Sequence, residues 1–171
     1  YEYLKNVEQN ERKILRELGV KFGRYHIFLY NLIKPEAVSL RTLLWKNFNQ
    51  KYFDLKPPTF GLNFLDNSKI KNKNFMLLCG FENFTKIYVR IDILERLFLM
   101  ILNSSKSEKE NRKEIKLVPE MLNLLGCNKE NFKKLLRLMN YKLYEKDSEI
   151  FFRYMPRRSS KKNERNLKFN D

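Results

Sequence analysis

The sequence predicts an α+β fold in which a mixed helical and short-strand unit precedes a winged-helix-like domain and a disordered basic tail. Three observations predict it. Segments with three-four apolar spacing alternate with short alternating segments, both bounded by Gly, Pro and Asn. The C-terminal third runs helix, helix, tight turn, helix, hairpin, an order that winged helices share with several unrelated small domains. The last fifteen residues are basic and nearly free of apolar side chains.

In chain order, Tyr1 to Leu18 reads as a helix, with Leu4, Val7, Ile14, Leu15 and Leu18 forming a broken stripe and Gly19 a C-terminal stop. Its charged remainder suits a connector, residues 1–18, from a preceding domain. Residues 19–90 form the mixed unit. Val20, Phe22, Ile27 and Leu29 suggest short extended segments around Gly23. Pro35 suits the first turn of a helix reaching Phe48, with Glu36 at its positive end. Ala37, Val38, Leu40, Leu44, Trp45 and Phe48 give that helix a wide apolar face, with Arg41 and Lys46 outside it. Lys56-Pro57-Pro58-Thr59 is a rigid break, and Phe60 to Lys73 reads as loop. Phe75 to Phe81 predicts a buried strand or turn, and Lys86 to Arg90 another strand.

The winged-helix-like domain spans 91–156. Ile91 to Leu102 is a helix with Ile91, Leu94, Phe98, Ile101 and Leu102 on one face. Ser104 to Lys116 is a polar linker. Val118 to Leu125 is a short helix started near Pro119 and ended by Gly126. Asn128 caps the next helix, Lys129 to Met139, whose Phe132, Leu135, Leu136 and Met139 share a buried face. Tyr141 to Glu145 and Glu149 to Met155 alternate as strands around the Lys146-Asp147-Ser148 turn.

Charge narrows the function. The 171 residues contain 35 Lys and Arg against 20 Asp and Glu, a net charge of +15. A polyanionic partner accounts for this, because counterion release drives such binding. The competing account is an AT-rich genome, which raises Lys, Asn, Ile, Phe and Tyr together. Placement favours binding. Lys129, Lys133 and Arg137 recur every four residues on one helix face with Lys134 beside them, where a winged helix meets a groove or backbone. The alternative is a solvated helix face. Lys142, Lys146 and Arg153 follow in the hairpin, then Arg157, Arg158, Lys161, Lys162, Arg165 and Lys168 in the tail, residues 157–171. Arginine, unlike lysine, is not inflated by AT-rich codons, although a solubilising terminus is the other reading of the tail. Phe151, Phe152 and Tyr154 offer stacking surface to unpaired bases. Alternation turns part of that set inward, and Phe151 is read as structural.

Other chemistries lack support. Cys79 and Cys127 have no metal-ligand or CxxC spacing, which suits a reducing cytoplasm. No run of about eighteen apolar residues is present, so no membrane span is expected. The opening residues lack the apolar core of a signal peptide. His26, the single histidine, has no Ser, Cys or carboxylate at a telling spacing and reads as structural. Asp92 and Glu95 are ascribed to helix capping and dipole effects rather than to an acid pair. No GxxxxGK[ST] loop and no Asp-Glu pair in a magnesium-binding context occur.

A family resemblance gives these features a context. Leu18-Gly19-Val20-Lys21-Phe22-Gly23, Leu32-Ile33-Lys34-Pro35-Glu36-Ala37 and Leu40-Arg41-Thr42-Leu43-Leu44-Trp45 resemble the C-terminal region of alphaproteobacterial helicase-related proteins. These are superfamily-two helicases similar to the mitochondrial degradosome RNA helicase. Gly80-Phe81, Val89-Arg90-Ile91-Asp92-Ile93-Leu94-Glu95-Arg96-Leu97, Met121-Leu122-Asn123-Leu124-Leu125-Gly126-Cys127 and Leu136-Arg137-Leu138-Met139-Asn140-Tyr141 resemble it too. The likeness runs in patches over most of residues 14 to 155 and consists mainly of apolar and turn residues. It implies an accessory domain of the bacterial cytoplasm, binding RNA or single-stranded nucleic acid beside two upstream RecA-like motor domains. ATP and magnesium would belong to that motor, and no cofactor or catalytic residue carries over to this chain. The alternative is an interaction domain docking a helicase motor or ribosomal partner. A sequence-specific DNA-binding regulator and a small-molecule enzyme are less supported.

Overall fold

A computed structural model describes residues 6–66, 72–107 and 114–155, and the side chains of 105–107 are outside the description. The chain has an α+β fold. Helix α1, Gln9–Glu17, begins where the Glu11 carboxylate accepts from the Glu8 amide at 2.9 Å. It ends at Gly19, whose φ of +91° suits glycine. No residue of α1 is buried. Strands β1, Val20–Phe22, and β2, Ile27–Leu29, then pair antiparallel as the sequence predicts.

Helix α2, Pro35–Phe48, has the predicted limits but not the predicted burial. Only Val38 and Thr42 are buried, one turn apart along a narrow edge. Leu40, Leu43, Leu44 and Phe48 lie exposed, Phe48 at 86%. Of the expected wide apolar face, Val38 and Trp45 pack on the small core and Ala37 is half-buried, while Leu40, Leu44 and Phe48 face outward, because the molecule covers just one edge of the helix.

Two more expectations are corrected in the following stretch. Within the predicted loop, Phe64–Asp66 forms strand β3. The predicted strand or turn at Phe75 is helix α3, Lys73–Leu78. A short apolar run does not by itself separate strand from helix. Here the Asn72 side chain accepts from the Phe75 amide at 2.9 Å, and Phe75, Met76 and Cys79 turn to one buried face. Gly80, with φ +85°, then reverses the chain. A Cβ there would lie 3.0 Å from Ile33 Cγ2. Strands β4, Phe81–Phe84, and β5, Ile87–Arg90, complete an antiparallel sheet of order β3-β5-β4.

Strand β5 joins two cores through the alternation of its side chains. Tyr88 enters a small core with Val38, Phe75, Met76, Cys79 and Phe81. Ile87 and Val89 enter the main core, shared with Leu94, Leu97, Met121, Phe132, Leu135 and Phe152. Helix α4, Ile91–Ser107, follows without a break and runs past its predicted end. The predicted linker therefore begins as helix, and it ends as strand β6, Ile115–Lys116.

The remaining elements agree with the sequence. Helix α5, Pro119–Leu125, stops at Gly126 in the left-handed conformation. Asn128 caps helix α6, Lys129–Leu138, its Oδ1 accepting from the Asn131 amide at 2.8 Å. Strands β7, Tyr141–Lys146, and β8, Glu149–Tyr154, are joined at Asp147 and Ser148, both at positive φ as a tight hairpin turn requires. Strand β6 adds to this hairpin, giving an antiparallel sheet of order β6-β8-β7. Among the described residues, no helix is long and apolar enough to cross a membrane.

Candidate nucleic-acid interface

Register decides which side chains the hairpin offers to solvent. Lys142 pairs with Arg153, Tyr144 with Phe151 and Lys146 with Glu149, and Lys116 of β6 lies beside Phe151. These residues share the outer face of the sheet, since alternate residues point the same way. Tyr141, Leu143, Ile150 and Phe152 take the other face, where Phe152 is 0% exposed and meets Phe132 and Tyr141 edge to face. The assignment of Phe151 to the interior is thus corrected. Phe152 is the core residue, and Phe151 stands half-buried on the outer face.

The outer face joins aromatic surface to positive charge. Lys142 Nζ lies 5.4 Å from the Tyr144 ring and Lys146 Nζ 5.8 Å from the Phe151 ring. Lys146 also meets Glu114 at 2.8 Å, and Lys116 meets Glu149 at 2.5 Å. Lys142 and Arg153 are exposed and have no carboxylate partner among the described residues.

Helix α6 keeps fewer available cations than its spacing suggests. Lys133 is bound to Glu145 at 3.0 Å and Glu130 at 3.4 Å. The bond to Glu145 holds the Lys133 ammonium above its ordinary pKa and Glu145 below its own. Lys134 reaches Asp66 at 3.5 Å and Asn131 at 3.2 Å. Lys129 and Arg137 are exposed, and among the described residues neither has an ion-pair partner. Of the predicted binding residues, the structure thus gathers Lys142, Lys146 and Arg153 on the sheet face and leaves Lys129 and Arg137 on the helix. Arg157, Arg158, Lys161, Lys162 and Arg165 lie outside the described residues.

Sequence spacing gave no sign of a second constellation. Glu95 is 6% exposed, yet its carboxylate accepts from the amides of Arg24, Tyr25 and His26 at 2.5, 3.0 and 2.9 Å. It also bonds His26 Nδ1 at 2.7 Å, while His26 Nε2 meets Glu82 at 3.1 Å. Glu95 therefore clasps the loop between β1 and β2. Asp92 instead holds Arg90 through two bonds of 2.7 and 2.9 Å. Burial lowers the His26 pKa, but the bonds and charges of Glu82 and Glu95 outweigh it, and the net shift is upward. The bond from His26 holds Glu82 below the usual carboxylate range. The signal for this triad is tertiary, since its members come from three separate elements.

His26 and Glu82 line a cleft of about 290 Å³ together with Tyr25, Phe84, Phe98, Tyr141 and Tyr154. Among the described residues, no group of His, Cys, Asp and Glu is arranged to hold a metal ion. Burial pushes the Cys79 and Cys127 thiols up to about 11, so both are protonated and poorly nucleophilic near neutrality. Comparison of the chain with family models, curated proteins and solved structures finds no match.

Proposed function

We propose that this chain is an accessory module that binds single-stranded nucleic acid, RNA in the leading reading, through the outer face of the β6-β8-β7 sheet. One observation carries it: Tyr144 and Phe151 lie side by side on an outward face beside the exposed pair Lys142 and Arg153. Aromatic surfaces accept any base, and the neighbouring cations neutralise phosphates. In the sequence, a run of Arg and Lys follows Met155 and adds to the positive charge of the chain. The order α4, β6, α5, α6, β7, β8 supports the winged-helix reading, with Lys129 and Arg137 as further phosphate contacts.

The family resemblance supports a place beside the RecA-like motor of a superfamily-two helicase in a bacterial cytoplasm. In that reading the motor brings ATP and magnesium, and this chain holds or directs the strand. Fluorescence anisotropy with a twelve-nucleotide oligouridine tests the binding claim. Binding should weaken with salt, and Lys142→Gln with Arg153→Gln should reduce the slope of log K against log salt by roughly 1.4. An unchanged slope would remove the sheet face from the interface.

A second reading, docking of a helicase motor or ribosomal partner, has its own support in the exposed Leu40, Leu43, Leu44, Phe48 and Phe53. Leu43, Leu44 and Phe53 line a groove of about 600 Å³. The two readings occupy different surfaces and are compatible in one chain.

A further inference from the structure

We propose that the aromatic cleft lined by His26 and Glu82 is a pocket for a single unpaired guanine base. The inference rests on the nucleic-acid reading above and deepens it by naming the base. Among the lining residues, Tyr25 and Phe98 lie with ring centroids 4.4 Å apart, and Tyr141 and Tyr154 5.3 Å apart. A flat aromatic ligand gains stacking against such walls.

The polar lining selects among flat ligands. Both ring nitrogens of His26 are engaged, Nδ1 by Glu95 and Nε2 by Glu82, so the imidazole has none left for a ligand. Glu82 bonds His26 through Oε2 and remains one-third exposed at the cleft. An ionised carboxylate accepts hydrogen bonds and donates none. The ligand must therefore present N–H groups. Guanine carries N1–H and N2–H side by side, a pair that the lone pairs of Glu82 left over from His26 and the Asn83 backbone can accept. Adenine and cytosine each place a ring acceptor beside their amino group, and uracil flanks its single N–H with two carbonyls. Repulsion between those acceptors and Glu82 disfavours all three.

The cleft is also placed to receive a base from a strand on the sheet. Tyr141 and Tyr154 are next to Lys142 and Arg153 in sequence, so adjacent residues turn aromatic rings to the cleft and cations to the outer face. Strand β7 is the sheet edge, around which a nucleic-acid backbone can pass. An organic cation is the other ligand that aromatic walls and a carboxylate suit. The Arg24 guanidinium, 5.5 Å from the Tyr25 ring, and the net charge of +15 oppose it.

The full chain is titrated by anisotropy with oligouridine and with the same oligomer carrying one central guanosine. Each variant's affinity for oligouridine serves as its reference. Guanosine binding is read separately by saturation-transfer NMR, with tetramethylammonium as the competing ligand. The wild type should favour the guanosine-bearing strand about tenfold. Glu82→Gln should abolish that preference, because an amide meets one guanine donor with a donor of its own. Tyr154→Ala, at a half-exposed position whose loss leaves the core intact, should lose the NMR signal of guanosine.

Equal affinities in the wild type, or a preference that survives Glu82→Gln, would overturn the pocket while leaving strand binding in place. Saturation transfer to tetramethylammonium with none to guanosine would overturn it in favour of a cation cage. A guanosine signal lost in both variants, with neither strand bound, would support the pocket and end the strand reading. No signal and no binding would end both.

Discussion

A buried carboxylate is stable only when its lone pairs are satisfied, and Glu95 shows how that condition ties distant segments together. Three backbone amides and one imidazole meet it, all from the loop at 24–26. Gly23 is part of the same fit, because a Cβ there would lie 2.4 Å from the Glu95 Cδ atom. His26 makes the clasp pH-dependent. Its pKa is raised in the folded chain, so its contribution is fully present below the unfolded value of 6.5 and fades as pH rises through the folded value. Glu82, whose pKa is lowered, contributes above its unfolded value and loses that contribution as pH falls through the folded one. The stability advantage of the wild type over His26→Gln should therefore be largest near about pH 6 and shrink toward about pH 9. Thermal unfolding of both proteins across that range is the measurement, and a pH-independent difference would contradict it. None of this was readable from spacing. His26 and Glu95 are 69 residues apart, and Glu95 sits where a helix dipole already explains an acid.

Among the elements, legibility followed the strength of local signals. Helices α5 and α6 carry their own punctuation in Pro119, Gly126 and Asn128, which places their limits to within one residue. The hairpin was read correctly too, but its parity was not. Phe151 and Phe152 are adjacent and equally apolar, so only the register with β7 and the packing of Phe132 decide which one turns inward. Strands β3 and β6 were missed because three and two residues carry no period, and their pairing with β5 and β8 is tertiary. The parity has a sharp test. Phe152→Ala should cost about 3–5 kcal/mol of stability by opening a core cavity. Phe151→Ala should cost far less, yet weaken strand binding by about 1–3 kcal/mol. Denaturant unfolding and anisotropy on both variants would expose a reversed assignment at once.

Over the whole molecule, charge and apolar exposure are placed on different parts of the chain. Cationic and aromatic surface collects on the C-terminal sheet, whereas α2 leaves Leu43 61% and Phe48 86% exposed. In the docking reading proposed above, this exposed apolar face is the contact surface. Leu43→Glu with Phe48→Glu should change stability by less than about 0.5 kcal/mol per site, since neither side chain is packed. The pair should also abolish binding of superfamily-two motor domains supplied in trans, as read by calorimetry. Unaltered binding would remove α2 from the docking surface. Composition made the charge legible, but not the outward turn of α2, because an apolar stripe does not say which neighbour covers it. Strand β5 adds a constraint of another kind. Its two faces send buried side chains into both the small core and the main one, as β3 and β4 do with partly buried residues, and α4 starts at the next residue. A gene segment cut before Ile91 would therefore encode helices and a hairpin stripped of Ile87 and Val89. The core under the C-terminal helices and hairpin is therefore completed by a strand that precedes them, and a fragment starting at Ile91 should be less stable than one starting before β5.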